Sequence, residues 1–493
     1  MRDRKRSGRK LFKGRLFKRN STRTKLSKTE LFERAPIPRA LAAMGIPTII
    51  SQLINLIYNM VDAFFIGRTG NAYMTAATTV TLTLTMLNVA FSNLYGIGGG
   101  SLIARLMGQK REEEGRKVSA YAVRGALGLG LGYSLIVGLF QSPILRFLGA
   151  SEATIGFAEQ YVLFVIVIGS TPTILSLTLS HLLRNTGYSG KASLGLSMGG
   201  VLNMALDPLF MFVILPRGQE VTGAAIATLI SNVCACCYLL FAYRRASNKA
   251  PLTLRIKEAR GLAKELKKSL YTVGVPSAVL TGLFDVASVC VNKLASAHDD
   301  LVLAAFGIVM KIERIPNAFN IGLCQGMMPI VAYNYASGDR ERMHAAVRTA
   351  RIWGLIVSAV SILLLEIFAR PAANLLLSTA AGDALGAAAT VTLAAAFLRV
   401  RCLAAPVQLL NYHSSFALQA VGRGGDTLLH ACVRELGIYI PLMLLLDKLF
   451  GQMGLAAALP AGEGLAAIFA LWLLRRALNA NCKNAKSIMQ KAK

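Results

Sequence analysis

The sequence predicts an all-α polytopic membrane protein: twelve transmembrane helices in two parallel six-helix repeats, an N-lobe and a C-lobe, around a central cavity. Three observations carry this. Of 493 residues, 54% are hydrophobic and only 16% charged, against about 25% charged in an ordinary soluble protein. Apolar runs long enough to cross a hydrocarbon core of about 30 Å recur along the whole chain. The few charges are lopsided, 54 Lys and Arg against 25 Asp and Glu for a net +29, and the basic ones collect in alternate connections. This balance excludes a disordered chain, a secreted disulfide scaffold and a generic nucleic-acid-binding domain.

Taken in order, the runs centre on residues 40–66, 73–104, 118–140, 156–182, 192–215 and 222–243, then 270–297, 301–332, 346–369, 386–421, 427–449 and 454–477. The tenth leaves room for a break near Pro406, and the eighth carries Lys311, Glu313 and Arg314. No short apolar segment with a small-residue cleavage site precedes the first run, so no cleaved signal peptide is expected. Basic residues fill the first 39 positions, the connections 105–117, 184–191, 244–268 and 340–351, and the tail 475–493. The positive-inside rule then places both termini in the cytoplasm of a plasma or inner membrane protein. The predicted organisation is a basic arm (1–39), an N-lobe (40–243), a linker (244–268), a C-lobe (269–477) and a basic tail (478–493). These basic segments can hold anionic lipid head groups.

The chain repeats itself. Gly45-Ile46-Pro47 and Gly274-Val275-Pro276 each open a long apolar run, and a shift of about 229 positions sets Ala76 on Ala305 and Asn88 on Asn317. Further on, Gly187 meets Gly422 and Pro208 meets Pro441. Two six-span halves starting on the same side are parallel repeats, which fits a transporter better than a membrane-embedded enzyme.

Polar residues within the runs mark the candidate site, because each is costly in lipid. Gln52, Asn55, Asn59 and Asp62 fall on one face of the first helix by steps of three and four. Thr78, Thr81, Thr85, Asn88, Ser92 and Tyr95 line the second, with cavity-lining roles for Thr85, for Asn88 and for Asn317, the repeat partner of Asn88. Asn203 and Asp207 lie one turn apart before Pro208, and Thr228, Ser231 and Asn232 follow on the sixth helix. Hard oxygens with two carboxylates suit a small alkali cation or a proton relay. Each has a structural alternative: Asp62 pairing with Arg68 or capping a neighbour, Asn203 and Asp207 as interhelical glue. Asp285 is a candidate second-lobe acid. Glu313, Arg434, Glu435 and Glu463, with Lys311 and Arg314, read as internal salt bridges because both signs are present. The cysteines read as small buried hydrophobes, and no cofactor, paired metal spacing or nucleophile with an adjacent base is found.

Several stretches bring in a resemblance: Val61-Asp62-Ala63-Phe64-Phe65-Ile66-Gly67-Arg68, Asn203-Met204-Ala205-Leu206-Asp207-Pro208, Gly223-Ala224-Ala225-Ile226-Ala227-Thr228, Ala305-Phe306-Gly307, Gly322-Leu323-Cys324-Gln325-Gly326 and Asn334-Tyr335-Ala336-Ser337-Gly338. Together, from about residue 36 to 478, the chain resembles the multidrug and toxic compound extrusion (MATE) transporters. The resemblance implies alternating access, export of cationic or amphipathic small molecules against a Na⁺ or H⁺ gradient, and a monomer. It also implies a coupling-cation site, with Na⁺ as the candidate metal, at Asp62, Asn203, Asp207 and Thr228, and a hinge at Pro47. A second branch of the family uses acids in its second lobe, but residues 411–419 hold no carboxylate, which favours the first-lobe site; His413 there reads as packing. The alternatives are a lipid-linked oligosaccharide flippase of the same superfamily, which wants a cationic cavity, and a membrane-embedded enzyme.

Overall fold

The computed structural model describes residues 28–377 and 384–491. The first 27 residues of the expected arm, the end of the tail and the side chain of Asp285 lie outside the described residues. A short helix α1 (Lys28–Glu33) is followed by α2 (Ile37–Arg68), α3 (Ala72–Gly108), α4 (Glu112–Leu139), the short α5 (Gln141–Phe147), α6 (Ile155–Val162), α7 (Ser170–Asn185), α8 (Ser189–Leu209) and α9 (Glu220–Ala246). The second half holds α10 (Lys264–His298), α11 (Asp300–Ser337), α12 (Arg340–Leu377), α13 (Ala384–Cys402), α14 (Ala405–Ala420), α15 (Gly424–Cys432) and α16 (Ile440–Lys491).

Local chemistry explains where these helices begin and stop. The Asn71 side chain accepts from the Tyr73 and Met74 amides and starts α3. Glu112, Glu113 and Glu114 crowd the first turn of α4, where the helix dipole favours negative charge. Gly338, at φ 85°, ends α11 in the left-handed conformation a side chain resists.

Among the described residues, eight helices are long and apolar enough to cross a membrane, or ten if two bent pairs each count as one span. Two features separate this count from the expected twelve. α11 is 38 residues long but carries Lys311, Glu313 and Arg314, so its composition masks its length. The segment Gly424–Asn479 runs 56 residues, about 84 Å of helix, and breaks at Gly451 (φ 58°, ψ −144°); it is long enough for two crossings. The bent pairs are α6 with α7 and α13 with α14, each turning by 49°. The second bend falls beside Pro406, which sits in the first turn of α14, where a missing amide costs nothing. The first, at Gly169 after a π-helical turn (Leu163–Ile168), likewise has a proline, Pro172, in the first turn of the helix that follows.

The halves meet along α3 against α10 and α2 against α11, and backbones approach closely there. A Cβ on Gly274 would stand 2.1 Å from the Leu94 carbonyl oxygen, and one on Gly326 2.6 Å from the Gly45 Cα, so only glycine fits. Hydrogen bonds joining the halves run from Asn93–Thr281 (3.1 Å), through the Tyr95, Tyr121 and Tyr271 hydroxyls, to Ser101–Gln419 O (2.6 Å) and Arg105–Ser269 (3.2 Å). This seam therefore lies toward the face that carries the basic connections. The connection between halves is not slack: Pro251, Leu252 and Thr253 are buried, the Thr253 amide donates to Ser119 Oγ at 2.9 Å, and Glu258 lies 3.7 Å from Arg116.

Candidate functional site

The first-half polar residues converge where α2, α8 and α9 meet. Asp207 is fully buried and Asn203 nearly so. One turn apart on α8, the Asn203 amide donates to Asp207 Oδ1 at 3.0 Å and to Thr228 Oγ1 of α9 at 3.3 Å. Asp62 lies on α2, which packs along the α8 helix that carries Asn203 and Asp207. Asp62 Oδ1, Asn203 Oδ1, Asp207 Oδ2 and Ser231 Oγ are buried with no hydrogen-bond partner. Native interiors rarely leave such groups unsatisfied, and ionised carboxylates there call for a cation or a proton. Among the described residues no group of three or more His, Cys, Asp or Glu is placed to hold a metal ion; the donor set here is hard oxygen, which fits an alkali cation and not a transition metal.

Local sequence builds this arrangement. Pro208 withholds an amide from the ladder directly after Asp207, and a π-helical turn follows (Phe210–Ile214). Gly223 lets α9 approach that turn, since a Cβ there would meet the Phe210 carbonyl at 2.8 Å. Pro47 lies inside α2, which stays one helix. Nearby, the Met44 carbonyl accepts from Thr48 Oγ1 (2.8 Å) and from Ser189 Oγ of α8 (2.7 Å), so the proline segment is tied to the helix that carries Asn203 and Asp207.

The remaining candidates divide. Gln52 is half-buried, while Asn55 and Asn59 are exposed, with the Asn59 amide donating to the Asn55 carbonyl. The Thr85 hydroxyl donates to the Thr81 carbonyl at 3.3 Å, a packing contact. Asn88 is buried with neither side-chain atom partnered. Asp62 forms no pair with Arg68, whose guanidinium lies 6.0 Å from the Phe64 ring. His413 is buried against the Val347 carbonyl at 2.9 Å.

The second half holds a separate charged cavity lined by Glu313, Asn317, Arg401, Arg434, Glu435 and Glu463 among others. Arg434 forks onto Glu463 (2.5 and 3.0 Å) with Glu435 3.5 Å away, and Arg401 forks onto Glu313 (2.6 and 2.9 Å). Salt bridging at Glu313, Arg434, Glu435 and Glu463 was readable from mixed signs; Arg401 as the partner of Glu313 was not, because 88 residues separate them. Lys311 and Arg314 are exposed and enter no ion pair among the described residues.

Three comparisons bear on this arrangement. The MatE family model matches residues 47–209 and 276–445, two segments whose starts reproduce the offset of the internal repeat. The chain is 28% identical over 447 residues to the multidrug export protein MepA of Staphylococcus saprophyticus, covering 90% of this chain and 95% of that one. It is 25% identical to MepA of Staphylococcus aureus (strain MRSA252), covering 90% and 94%. Among solved structures, a crystal structure of MATE in complex with MaL6 superposes with a TM-score of 0.86 at 20% identity, covering 93% of this chain and all of that one. An outward-facing multidrug resistance MATE family transporter of the MOP superfamily gives 0.85 at 20%, covering 93% and 99%.

Proposed function

The chain belongs to the MATE family of membrane transporters, and on that premise we propose that it exports cationic or amphipathic small molecules, drugs among them, in exchange for Na⁺ or H⁺. The observation that carries the coupling is the set of unpartnered buried oxygens on Asp62, Asn203 and Asp207, gathered from two helices beside Thr228 of a third. A cation or proton that neutralises the two carboxylates removes the cost of closing apolar surface around them. Cation and drug then favour different arrangements of the halves, and each weakens the binding of the other by one common factor.

The proposed organisation is an N-lobe and a C-lobe that rock about the glycine seam, with Pro47 as a hinge in α2. The basic face is cytoplasmic, the membrane is the plasma or inner membrane, and the protein works as a monomer surrounded by lipid. The seam lies toward the basic face, so this conformation is outward-facing. An acidic and neutral site argues against a flippase for pyrophosphate-linked sugars, and Asp285 remains a candidate second-lobe acid. The test is dye efflux from proteoliposomes with Na⁺ and pH gradients imposed separately. Efflux driven by one gradient and lost in both Asp62→Asn and Asp207→Asn supports the reading; full efflux in both variants removes the first-lobe site.

A further inference from the structure

The helix ahead of the first span makes contacts that topology does not require. Phe32 of α1 is fully buried, packed against the Tyr333 ring at 5.5 Å between centroids. Glu33 accepts from Tyr333 Oη at 2.5 Å and pairs with Lys110, whose ammonium also reaches the Tyr333 hydroxyl at 3.1 Å. Lys110 follows the last turn of α3 in the first half, while Tyr333 lies near the end of α11 in the second. One carboxylate thus ties both halves together. The second half adds more: Arg342 Nε donates to the Phe32 carbonyl at 2.6 Å, its Nη2 to the carbonyls of Ala35 (2.5 Å) and Leu31 (3.4 Å), and the Asn334 amide to the Phe32 carbonyl at 3.3 Å. Lys110 is also the sole non-glycine residue with positive φ (62°) among the described residues, a strained conformation that persists where the surroundings hold it.

We propose that α1 is a latch: it clamps the basic ends of α3 and α11 together and must release before the transporter opens toward that face. It rests on the alternating-access reading above and adds a gate to it. The clamp stabilises the conformation described here alone, because separating Lys110 from Tyr333 and Arg342 breaks the bridge whichever partner α1 follows. Its strength lies in the buried Phe32 and the Arg342 fork onto three carbonyls more than in the exposed Glu33–Lys110 pair.

The test measures the distance between labels on Gln109→Cys and Glu341→Cys, both exposed positions on opposite halves, in full-length protein with its native cysteines replaced, in lipid vesicles. In the parent protein the short distance dominates and an imposed ion gradient populates a longer one. Phe32→Ala raises the long-distance population about tenfold without a gradient and Glu33→Gln, which is isosteric, about threefold, and Glu33→Lys with Lys110→Glu reverses the effect of either single charge change. Variants whose distances match the parent, or that lose only thermal stability, overturn the latch and leave the transport reading intact. A parent distance that never responds to ion gradient or substrate overturns both.

Discussion

The two halves each carry acids inside the membrane, and they satisfy them in opposite ways. In the first half, Asp207 and Asp62 have an amide and a hydroxyl nearby and keep oxygens without partners. In the second, Glu313 and Glu463 are each gripped by a two-pronged guanidinium. Both acid clusters sit beside a π-helical turn, Phe210–Ile214 and Val433–Tyr439. Irregular backbone positions the groups in each half, and the counter-charge decides what they can do. Acids with a built-in cation are committed to structure; acids without one are free to respond to an ion from outside.

The sharpest break of this comparison is Arg434→Met. It strands Glu463 and Glu435 in the interior and is expected to destabilise the protein by about 3–5 kcal/mol, seen as a lower unfolding midpoint in detergent; Arg434→Met with both Glu435→Leu and Glu463→Leu recovers most of the loss. Asp207→Asn should do the reverse, leaving the midpoint near that of the parent and lowering gradient-driven efflux at least tenfold, ~1.4 kcal/mol in the rate. Should both substitutions act on stability alone, the distinction between the halves disappears. A finer probe is Thr228→Val, which removes one oxygen and weakens the apparent affinity for the coupling ion about fivefold, ~1 kcal/mol, measured as a shift in the ion concentration giving half-maximal efflux. The smallest effect concerns pH. Hydrogen bonds from Lys110 and Tyr333 hold the Glu33 carboxyl below its ordinary 4.5. Its contribution is therefore present above that value and fades as pH falls through the lower, folded one. Opening of the basic face should be indifferent to pH between 5 and 8 through this group, and ease only in stronger acid, as read by the Gln109–Glu341 label distance.

Much of this was legible before the fold. Hydropathy, the alternation of basic connections and the repeat fixed on Gly45 and Gly274 led to the helical membrane architecture, because lipid forces backbone groups to bond within helices. The pairing of Asn203 with Asp207 was legible from a four-residue step. What remained hidden was long-range: the choice of Arg401 as partner of Glu313, and the docking of Phe32 some 300 residues from Tyr333 in the chain. Periodicity reports which face of a helix is buried, not which distant element covers it.

The segment between α9 and α10 has a consequence for how far the halves can travel. Of a connection that looks long enough to be generous, Pro251 to Thr253 are packed away and Glu258 and Ala259 lie against the first half or its core. Leu262 is buried as well, so what is left unpinned before α10 begins at Lys264 is about two residues, Arg260 and Gly261, a reach of at most ~7 Å when fully drawn out. The join behaves as a short strap on a heavy door: it sets a stop on the swing and keeps the pivot at one edge.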